Sequence, residues 1–247
     1  MAASYETSGI WTDNFVAAGT AITNAFDAGS GANRVLYVAV TWDDFSTHTI
    51  DAVTYNAVGL TAMGDAIEQG SNRTRMFRLA GPASGSNDLV VDPSGGTGTN
   101  EGVVIAAVVV QDADQGTPED GYATANDADY GTPWVSAVTI AGETDDLIVV
   151  FHGVHVNSGG VTELAAAPTN YTTRQTAAID RMGMTCGTAA SAASVATSAG
   201  WTGTGLSAIN WVAMGVNVNA AGAAASPSLV SRHHPRGVQR GVLRGIS

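Results

Sequence analysis

Short apolar segments separated by turn-forming residues recur along the chain, and their apolar positions follow the two-residue period of β-strands. In residues 34–42 both alternating sets of side chains are apolar, which predicts a central strand buried on both faces. Residues 102–111 also form a long apolar run, which predicts a second fully buried strand. Amphipathic helical periodicity is nearly absent, so the chain is expected to be built from strands.

A tight hairpin is predicted at Asn56-Ala57, between strands at residues 50–55 and 58–63, because Asn tolerates the positive φ that such turns need. Further strands are predicted at residues 73–79, 88–92, 135–140, 147–154, 179–187 and 209–217. The Ala-rich residues 165–167 and 189–199 contain too much Thr, Ser and Gly to favour a helix and are expected to be loops.

About ten strands without a helix, in a chain of 247 residues, predict an all-β fold. We expect a two-sheet antiparallel β-sandwich of jelly-roll type over residues 1–218, with an immunoglobulin-like sandwich as the alternative. Residues 219–247 are expected to form a separate Ala/Gly/Ser linker followed by an extended basic tail of Arg-Gly-Val/Ile repeats.

The charge is divided unevenly between these two parts. The chain has 22 acidic residues and 10 basic ones, and every base is Arg. Without Lys, the P-loop, Schiff-base and Ser-x-x-Lys chemistries are excluded. Residues 1–225 have a net charge of −16, so this body is not expected to bind nucleic acid.

No membrane or secretion signal is expected. The longest apolar run, at residues 103–110, is too short to span a bilayer. The N-terminal residues lack the basic and apolar regions of a secretory signal peptide.

Two nearly identical acidic segments, DADQGTP at 112–118 and DADYGTP at 127–133, are the candidates for a metal site. Their carboxylates could surround a hard cation such as Ca²⁺, since Gly allows the bend that a tight loop needs. The ligands would be Asp112, Asp114, Asp127 and Asp129. However, Glu119 falls too early to complete an EF-type loop, and the pattern favours turns at strand ends. No metal or other cofactor is therefore expected.

The sequence gives no support for catalysis, and the chain is not expected to be an enzyme. It lacks a GxSxG elbow, an HExxH motif and a strand-linked GxGxxG. His152 and His155 are three residues apart in a predicted strand and should point to opposite faces, one buried and the other exposed. Cys186 has no reactive signature and is expected to be a small buried residue.

Aromatic residues beside acids suggest a possible sugar-binding edge. Tyr122, Tyr130 and Trp134 lie in or near predicted loops, where aromatic rings can stack on sugar rings. Packing in the core or at its rim is favoured over this interpretation.

The basic tail is predicted to dock onto another protein. Each repeat offers a guanidinium and a small apolar side chain, which suits an extended peptide laid along a partner. Nucleic-acid binding and an idle end remain the alternatives. The docking residues would be Arg232, Arg236, Val238, Arg240, Val242, Arg244 and Ile246.

Four segments resemble a known module. They are NRVLYV at 33–38, VTYNAVGLT at 53–61, LAGPASG at 79–85 and DDLIV at 145–149. Together they resemble a β-sandwich module of bacteriophage virion proteins that also occurs in bacterial surface proteins. The resemblance covers residues 30–218, departs from the module at Ala57, where Gly is common, and implies no catalytic residue.

The resemblance implies a bacteriophage structural protein, located in the virion and assembled in the host cytoplasm. An acidic sandwich with a basic docking tail would fit a capsid decoration or cement protein. Its partners would be the major capsid protein or other virion proteins, and it would form a homo-oligomer, with a trimer favoured. The alternative hypothesis is a head- or tail-fibre module that binds a host-surface glycan or receptor.

Overall fold

Eighteen β-strands and no helix make up the regular structure of a computed structural model of the protein, which describes residues 2–15, 20–43, 48–95, 101–129, 134–204 and 209–222. All paired strands are antiparallel. The prediction of an all-β antiparallel sandwich is therefore confirmed.

The N-terminal half contains ten strands: β1 (Ser4–Phe15), β2 (Ile22–Asp27), β3 (Val35–Asp43), β4 (His48–Tyr55), β5 (Val58–Gly59), β6 (Thr61–Ala62), β7 (Ile67–Gln69), β8 (Asn72–Ala80), β9 (Ser86–Gly95) and β10 (Glu101–Gln111). They form sheet 1, in the order β1-β10-β3-β8-β6 with β7 also paired to β8, and sheet 2, in the order β2-β9-β4-β5. We call this pair of sheets the first sandwich.

The C-terminal half contains eight strands: β11 (Glu119–Asp129), β12 (Trp134–Ile140), β13 (Leu147–Val156), β14 (Gly160–Thr169), β15 (Thr172–Ile179), β16 (Met182–Ala190), β17 (Val195–Thr204) and β18 (Ile209–Val218). They form sheet 3, in the order β11-β18-β13-β16-β15, and sheet 4, in the order β12-β17-β14. We call this pair the second sandwich.

The two halves repeat one strand order. In the first sandwich, β1-β10-β3-β8 facing β2-β9-β4-β5 is the arrangement of an eight-stranded jelly roll. In the second, β11-β18-β13-β16 facing β12-β17-β14 follows the same order, and β15 lies beside β16 as β6 and β7 lie beside β8. The chain thus contains four sheets instead of the expected two, because the jelly-roll order occurs twice.

Three apolar cores lie between the four sheets. One core lies between sheets 2 and 1, one between sheets 3 and 4, and one between the two inner sheets, 1 and 3. The strands β3, β13 and β18 are buried along nearly their whole length because each has a core on both faces. This explains the two apolar faces that the sequence shows for the N-terminal central strand.

We call the contact between sheets 1 and 3 the seam. An approximate two-fold axis relates the two sandwiches across it. Strand β1 packs across β15, and its counterpart β11 packs across β7; β10 packs on β16, and its counterpart β18 packs on β8. The same surface is thus used on both sandwiches, as in the isologous interface of a symmetric dimer.

Buried polar side chains interrupt the apolar seam at one end. The hydroxyl of Thr41 lies 2.8 Å from the hydroxyl of Thr74 and 2.8 Å from the amide oxygen of Asn72. The amide nitrogen of Asn72 donates to the carbonyl oxygens of Gly153 and Asn210 in the second sandwich, at 3.3 and 3.1 Å. Because buried polar groups need their partners, these bonds help to fix how the two sandwiches align.

The predicted turn at Asn56-Ala57 is confirmed. Both residues have positive φ, 50° and 61°, and Tyr55 pairs with Val58 across the turn. The arm that follows does not continue as one strand, since β5 pairs with β4 whereas β6 crosses to sheet 1 and pairs with β8.

The prediction of loops in the Ala-rich segments holds for residues 191–194, between β16 and β17, and was wrong for the rest. Residues 165–167 lie in β14, and residues 195–199 lie in β17. Thr197, Ala199 and Trp201 of β17 are buried, so the strand uses small side chains together with one large one on its inner face.

Candidate functional site

The two acidic segments do not form one metal site. Asp112 and Asp114 precede β11, whereas Asp127 and Asp129 lie at its far end. At about 3.4 Å per residue, the eleven residues of this strand separate its ends by about 34 Å. Across the described residues, no group of three or more His, Cys, Asp or Glu side chains is placed to hold a metal ion. The side chain of Asp129 lies outside the described residues.

The carboxylate of Asp114 accepts hydrogen bonds within the turn that contains Asp114. Its carboxylate accepts the backbone N–H groups of Gly116 and Thr117, at 2.7 and 3.1 Å. These two bonds, that from Thr117 foremost, lower the pKa of Asp114. This is the turn geometry for which Asp is favoured.

The DADQGTP segment also holds the C-terminal end of the described chain. Ala221 donates to the carbonyl oxygen of Asp112 at 2.7 Å, and Asp114 donates to that of Asn219 at 2.9 Å. Ala220 donates its backbone N–H to the carboxylate of Asp146 at 2.8 Å. The first three residues of the predicted linker, 219–221, are therefore fixed to the body.

Of the three aromatic candidates for sugar stacking, the structure describes the side chain of Tyr122. Tyr122 is 39% exposed, and its ring edge packs beside Gly64 while its hydroxyl lies 3.8 Å from the sulfur of Met214. Burial raises the pKa of Tyr122 to about 12. Tyr130 and the side chain of Trp134 lie outside the described residues.

The proposed docking residues of the tail, at positions 232–246, also lie outside the described residues. No helix within the described ranges is long and apolar enough to cross a membrane.

The two histidines point to opposite faces of β13, as predicted, but the expected exposed member is wrong because both are fully buried. The seam covers His155, whereas His152 lies in the core of the second sandwich. The Nδ1 atom of His152 lies 3.0 Å from the hydroxyl of Ser136, and its ring stacks on Tyr171 with centroids 5.5 Å apart. Burial lowers the pKa of His152 to about 3, so the ring is neutral and structural.

Cys186 is buried, as predicted, and burial raises the pKa of its thiol to about 12. The thiolate, which is the reactive form, is therefore disfavoured.

One corner of the first sandwich is closed by a buried arginine. Arg34 immediately precedes β3, and its guanidinium donates four hydrogen bonds of 2.7–2.9 Å. The acceptors are the carbonyl oxygens of Ala28, Gly29 and Pro82 and the hydroxyl of Ser84. Tyr55, at the end of β4, closes the same corner, and its hydroxyl lies 2.7 Å from the carbonyl oxygen of Gly85.

The corresponding corner of the second sandwich is open. Asp146 precedes β13 where Arg34 precedes β3, and its carboxylate is turned away to Asn217 and Ala220. Tyr171 takes the place of Tyr55, and its buried hydroxyl lies beside the side chain of Thr185. A groove of about 730 Å³ lies at this corner. We call it the corner groove.

Side chains with hydroxyl and amide groups line the corner groove together with small apolar side chains. Its lining comprises Leu147, Asn170, Tyr171, Thr172, Arg174, Thr188, Ala189, Ala190, Ser194, Val195 and Ala196. The amide of Asn170 donates to the carbonyl oxygen of Ala196 at 2.7 Å, which joins the β14–β15 turn to the start of β17. The groove has the size of a small-molecule site.

Arg174 is the one charged residue of the groove lining. It lies at a break in the pairing register of β15 with β16, between Thr173 and Gln175. Such bulges redirect a side chain at the edge of a sheet. The Nε atom of Arg174 donates to the hydroxyl of Thr188 at 2.9 Å, and its guanidinium stacks on the ring of Tyr5, 3.9 Å from the centroid.

Sequence reasoning missed this groove because its lining comes from four strands and two turns that are separated in the chain. One signal was available: Arg174 is the only base between residues 79 and 180, a stretch rich in acids.

Comparisons of the chain with protein-family models, with curated proteins and with solved structures gave no match.

Proposed function

We propose that this chain is a structural protein of a bacteriophage particle that decorates the capsid, with the double sandwich displayed outward and the segment after residue 222 attached to the shell. The observation that carries the proposal is the fixed exit of the chain. Residues 219–221 are hydrogen-bonded to the body, and a segment with four Arg and no acid follows after residue 225.

The position of the two ends supports attachment through one end of the body. Ala3 donates to the carbonyl oxygen of Asp145 at 2.9 Å, and Ala220 donates to the carboxylate of Asp146 at 2.8 Å. The first and last described parts of the chain therefore lie side by side. A body held there would present its other surfaces to solvent.

The charge division supports the same proposal. The body of residues 1–225 has a net charge of −16, whereas the remaining segment has a net charge of +4. Arginine side chains pair with carboxylates through two parallel hydrogen bonds, so the segment suits an acidic groove on a capsid protein. The resemblance of the sandwich motifs to those of virion proteins is the further support.

The test is the copy number of the protein in purified particles. The proposal predicts hundreds of copies per particle and a large fall in occupancy when residues 226–247 are deleted. A matched variant with Arg232, Arg236, Arg240 and Arg244 replaced by Gln keeps the length of the segment and should show the same fall. Unchanged occupancy in both variants, or absence of the protein from particles, would contradict the proposal.

The second candidate function is that of a head- or tail-fibre module that binds a host-surface glycan or receptor. The open corner groove is the observation that favours it. A few copies per particle, instead of hundreds, would support this function.

A further inference from the structure

We propose that the corner groove binds a carboxylate-bearing sugar and that Arg174 is the residue that recognises the carboxylate. This inference stands on the geometry of the second sandwich and is independent of where the protein sits in a particle.

The corner groove exists because the second sandwich lacks the buried arginine that closes the same corner of the first. Both sandwiches follow the same strand order, yet the first closes this corner with the guanidinium of Arg34 and the hydroxyl of Tyr55. In the second sandwich, the residue before the central strand is Asp146, which is directed to Asn217 and Ala220. The space that a buried arginine fills in one half is therefore accessible in the other.

The guanidinium of Arg174 is held in place and keeps donors available for a ligand. Arg78 pairs with Glu119, and Arg73 pairs with Glu68 at 3.0 Å. Within the part of the chain that the structure describes, Arg174 has no carboxylate partner. Its Nε atom is bonded to Thr188 and its plane rests on Tyr5, so the side chain is held while the two Nη groups keep their donors for a ligand. A held guanidinium loses little entropy when it binds a carboxylate through two bonds.

The remaining groove lining presents hydroxyl groups and apolar surface to the rest of the ligand. Thr172 and Ser194 offer hydroxyl groups, and three alanines provide apolar surface between them. Sugars present hydroxyl groups at the edge of a ring with apolar faces, which matches this mixture. A free small anion would use Arg174 alone and gain nothing from the remaining wall.

Gly187 leaves the space in which one side of the corner groove forms. A side-chain carbon at this position would lie 2.3 Å from the ring of Tyr171 and 2.5 Å from the carbonyl oxygen of Thr172. Glycine thus allows the β14–β15 turn to approach β16 closely and to form one side of the groove.

The experiment is a titration of the full chain by NMR with three probes: methyl β-D-glucuronide, methyl β-D-glucoside and sodium acetate. The first two differ only in a carboxylate in place of a hydroxymethyl group, and acetate is the carboxylate alone. We expect the glucuronide to shift signals of Thr172, Ala189 and Ala196 and to bind about tenfold more tightly than either other probe, because a charged hydrogen bond contributes about that factor.

Two variants and one control complete the test. Arg174→Gln should weaken glucuronide binding about tenfold, whereas Arg181→Gln, which removes the same charge at the opposite end of the β15–β16 hairpin, should leave it unchanged. Thr188→Val keeps the charge of Arg174 but removes its anchor, and it should weaken binding about threefold. It also decides the question if Arg174→Gln does not fold.

The proposal is overturned by any of four results: no probe shifts the groove signals, the glucoside binds as well as the glucuronide, acetate binds as well as the glucuronide, or neither groove variant weakens binding.

Discussion

The Nε2 atom of His155 in the second sandwich lies 3.2 Å from Oδ2 of Asp43 in the first, and both side chains are buried in the seam. This contact joins residues 112 positions apart in the chain. It lies on the same strands, β3 and β13, that cross at the approximate two-fold axis.

Removing one member of this pair should destabilise the whole chain. Asp43→Ala removes the buried carboxylate that lies beside His155, and loss of a buried polar partner costs about 1–3 kcal/mol. Urea unfolding would measure the effect, with exposed Asp92→Ala as the control that should change stability by less than about 0.5 kcal/mol. A double-mutant cycle with His155→Ala should give a coupling energy above about 1 kcal/mol; additive effects would show that the contact contributes nothing.

His152 should make stability depend on pH in the weakly acidic range. Its pKa is lowered from 6.5 to about 3 by burial, so the unfolded chain binds a proton that the folded chain does not. The contribution of neutral His152 is therefore complete above pH 6.5 and decreases as the pH falls toward 3, by about 1.4 kcal/mol per pH unit.

Comparing urea unfolding at pH 7.5 and pH 5.0 tests this dependence, and about 2 kcal/mol should be lost through His152. In His152→Gln, this part of the pH dependence should be absent. An equal pH dependence in the variant would assign the effect to other groups.

Ala57→Gly should stabilise the protein. Ala57 has a φ of 61°, a region in which a Cβ atom costs about 1 kcal/mol. Glycine removes this cost, although it also increases the entropy of the unfolded chain, and the expected gain is about 0.5 kcal/mol. The matched control is Ala52→Gly at an exposed strand position, which should destabilise by a similar amount. Loss of stability in both variants would contradict the strain at Ala57.

Gly187→Ala should destabilise the second sandwich and alter the corner groove. The new carbon would overlap the ring of Tyr171, so the β14–β15 turn must move outward, at a cost of about 2 kcal/mol. Gly59→Ala is the control, since no atom beyond its immediate chain neighbours lies within 4 Å of the carbon that it adds. Thermal unfolding and near-ultraviolet circular dichroism of Tyr171 and its neighbours would measure both effects. Equal behaviour of the two variants would contradict the close approach at Gly187.

The strands with two apolar faces and the tight turn could be predicted from sequence because both signals are local. Residues 34–42 and 102–111 correspond to β3 and β10, each with a core on both sides. The sequence prediction missed β1, β2, β7, β11, β14, β15 and β17. Among them, β11 is a polar edge strand and β17 is rich in small residues. Their position depends on neighbouring strands instead of their own composition.

The repeated strand order could not be predicted, because the two halves share topology and little else that is visible in the sequence. Val35 and Leu147 begin equivalent strands, but the residue before each differs in charge, Arg34 against Asp146. The corner groove follows from that difference in three dimensions, so it has no local signature. The two DAD segments, which were the candidates for a metal site although no metal was expected, look alike in sequence, but a long strand holds them apart.

The approximate two-fold symmetry of the seam means that the two sandwiches of one chain pack together as the two subunits of a symmetric dimer would. In a dimer of identical chains, every surface appears twice, and association depends on concentration. A covalently joined pair stays assembled at any dilution, and each half is free to change alone. The exposed residues of β4 and β9 include Asp51, Asp88 and Asp92, whereas those of β12 are Val135, Ala137 and Thr139. The two outer faces of the molecule therefore differ in chemistry, with carboxylates exposed on β4 and β9 and small apolar and hydroxyl side chains exposed on β12.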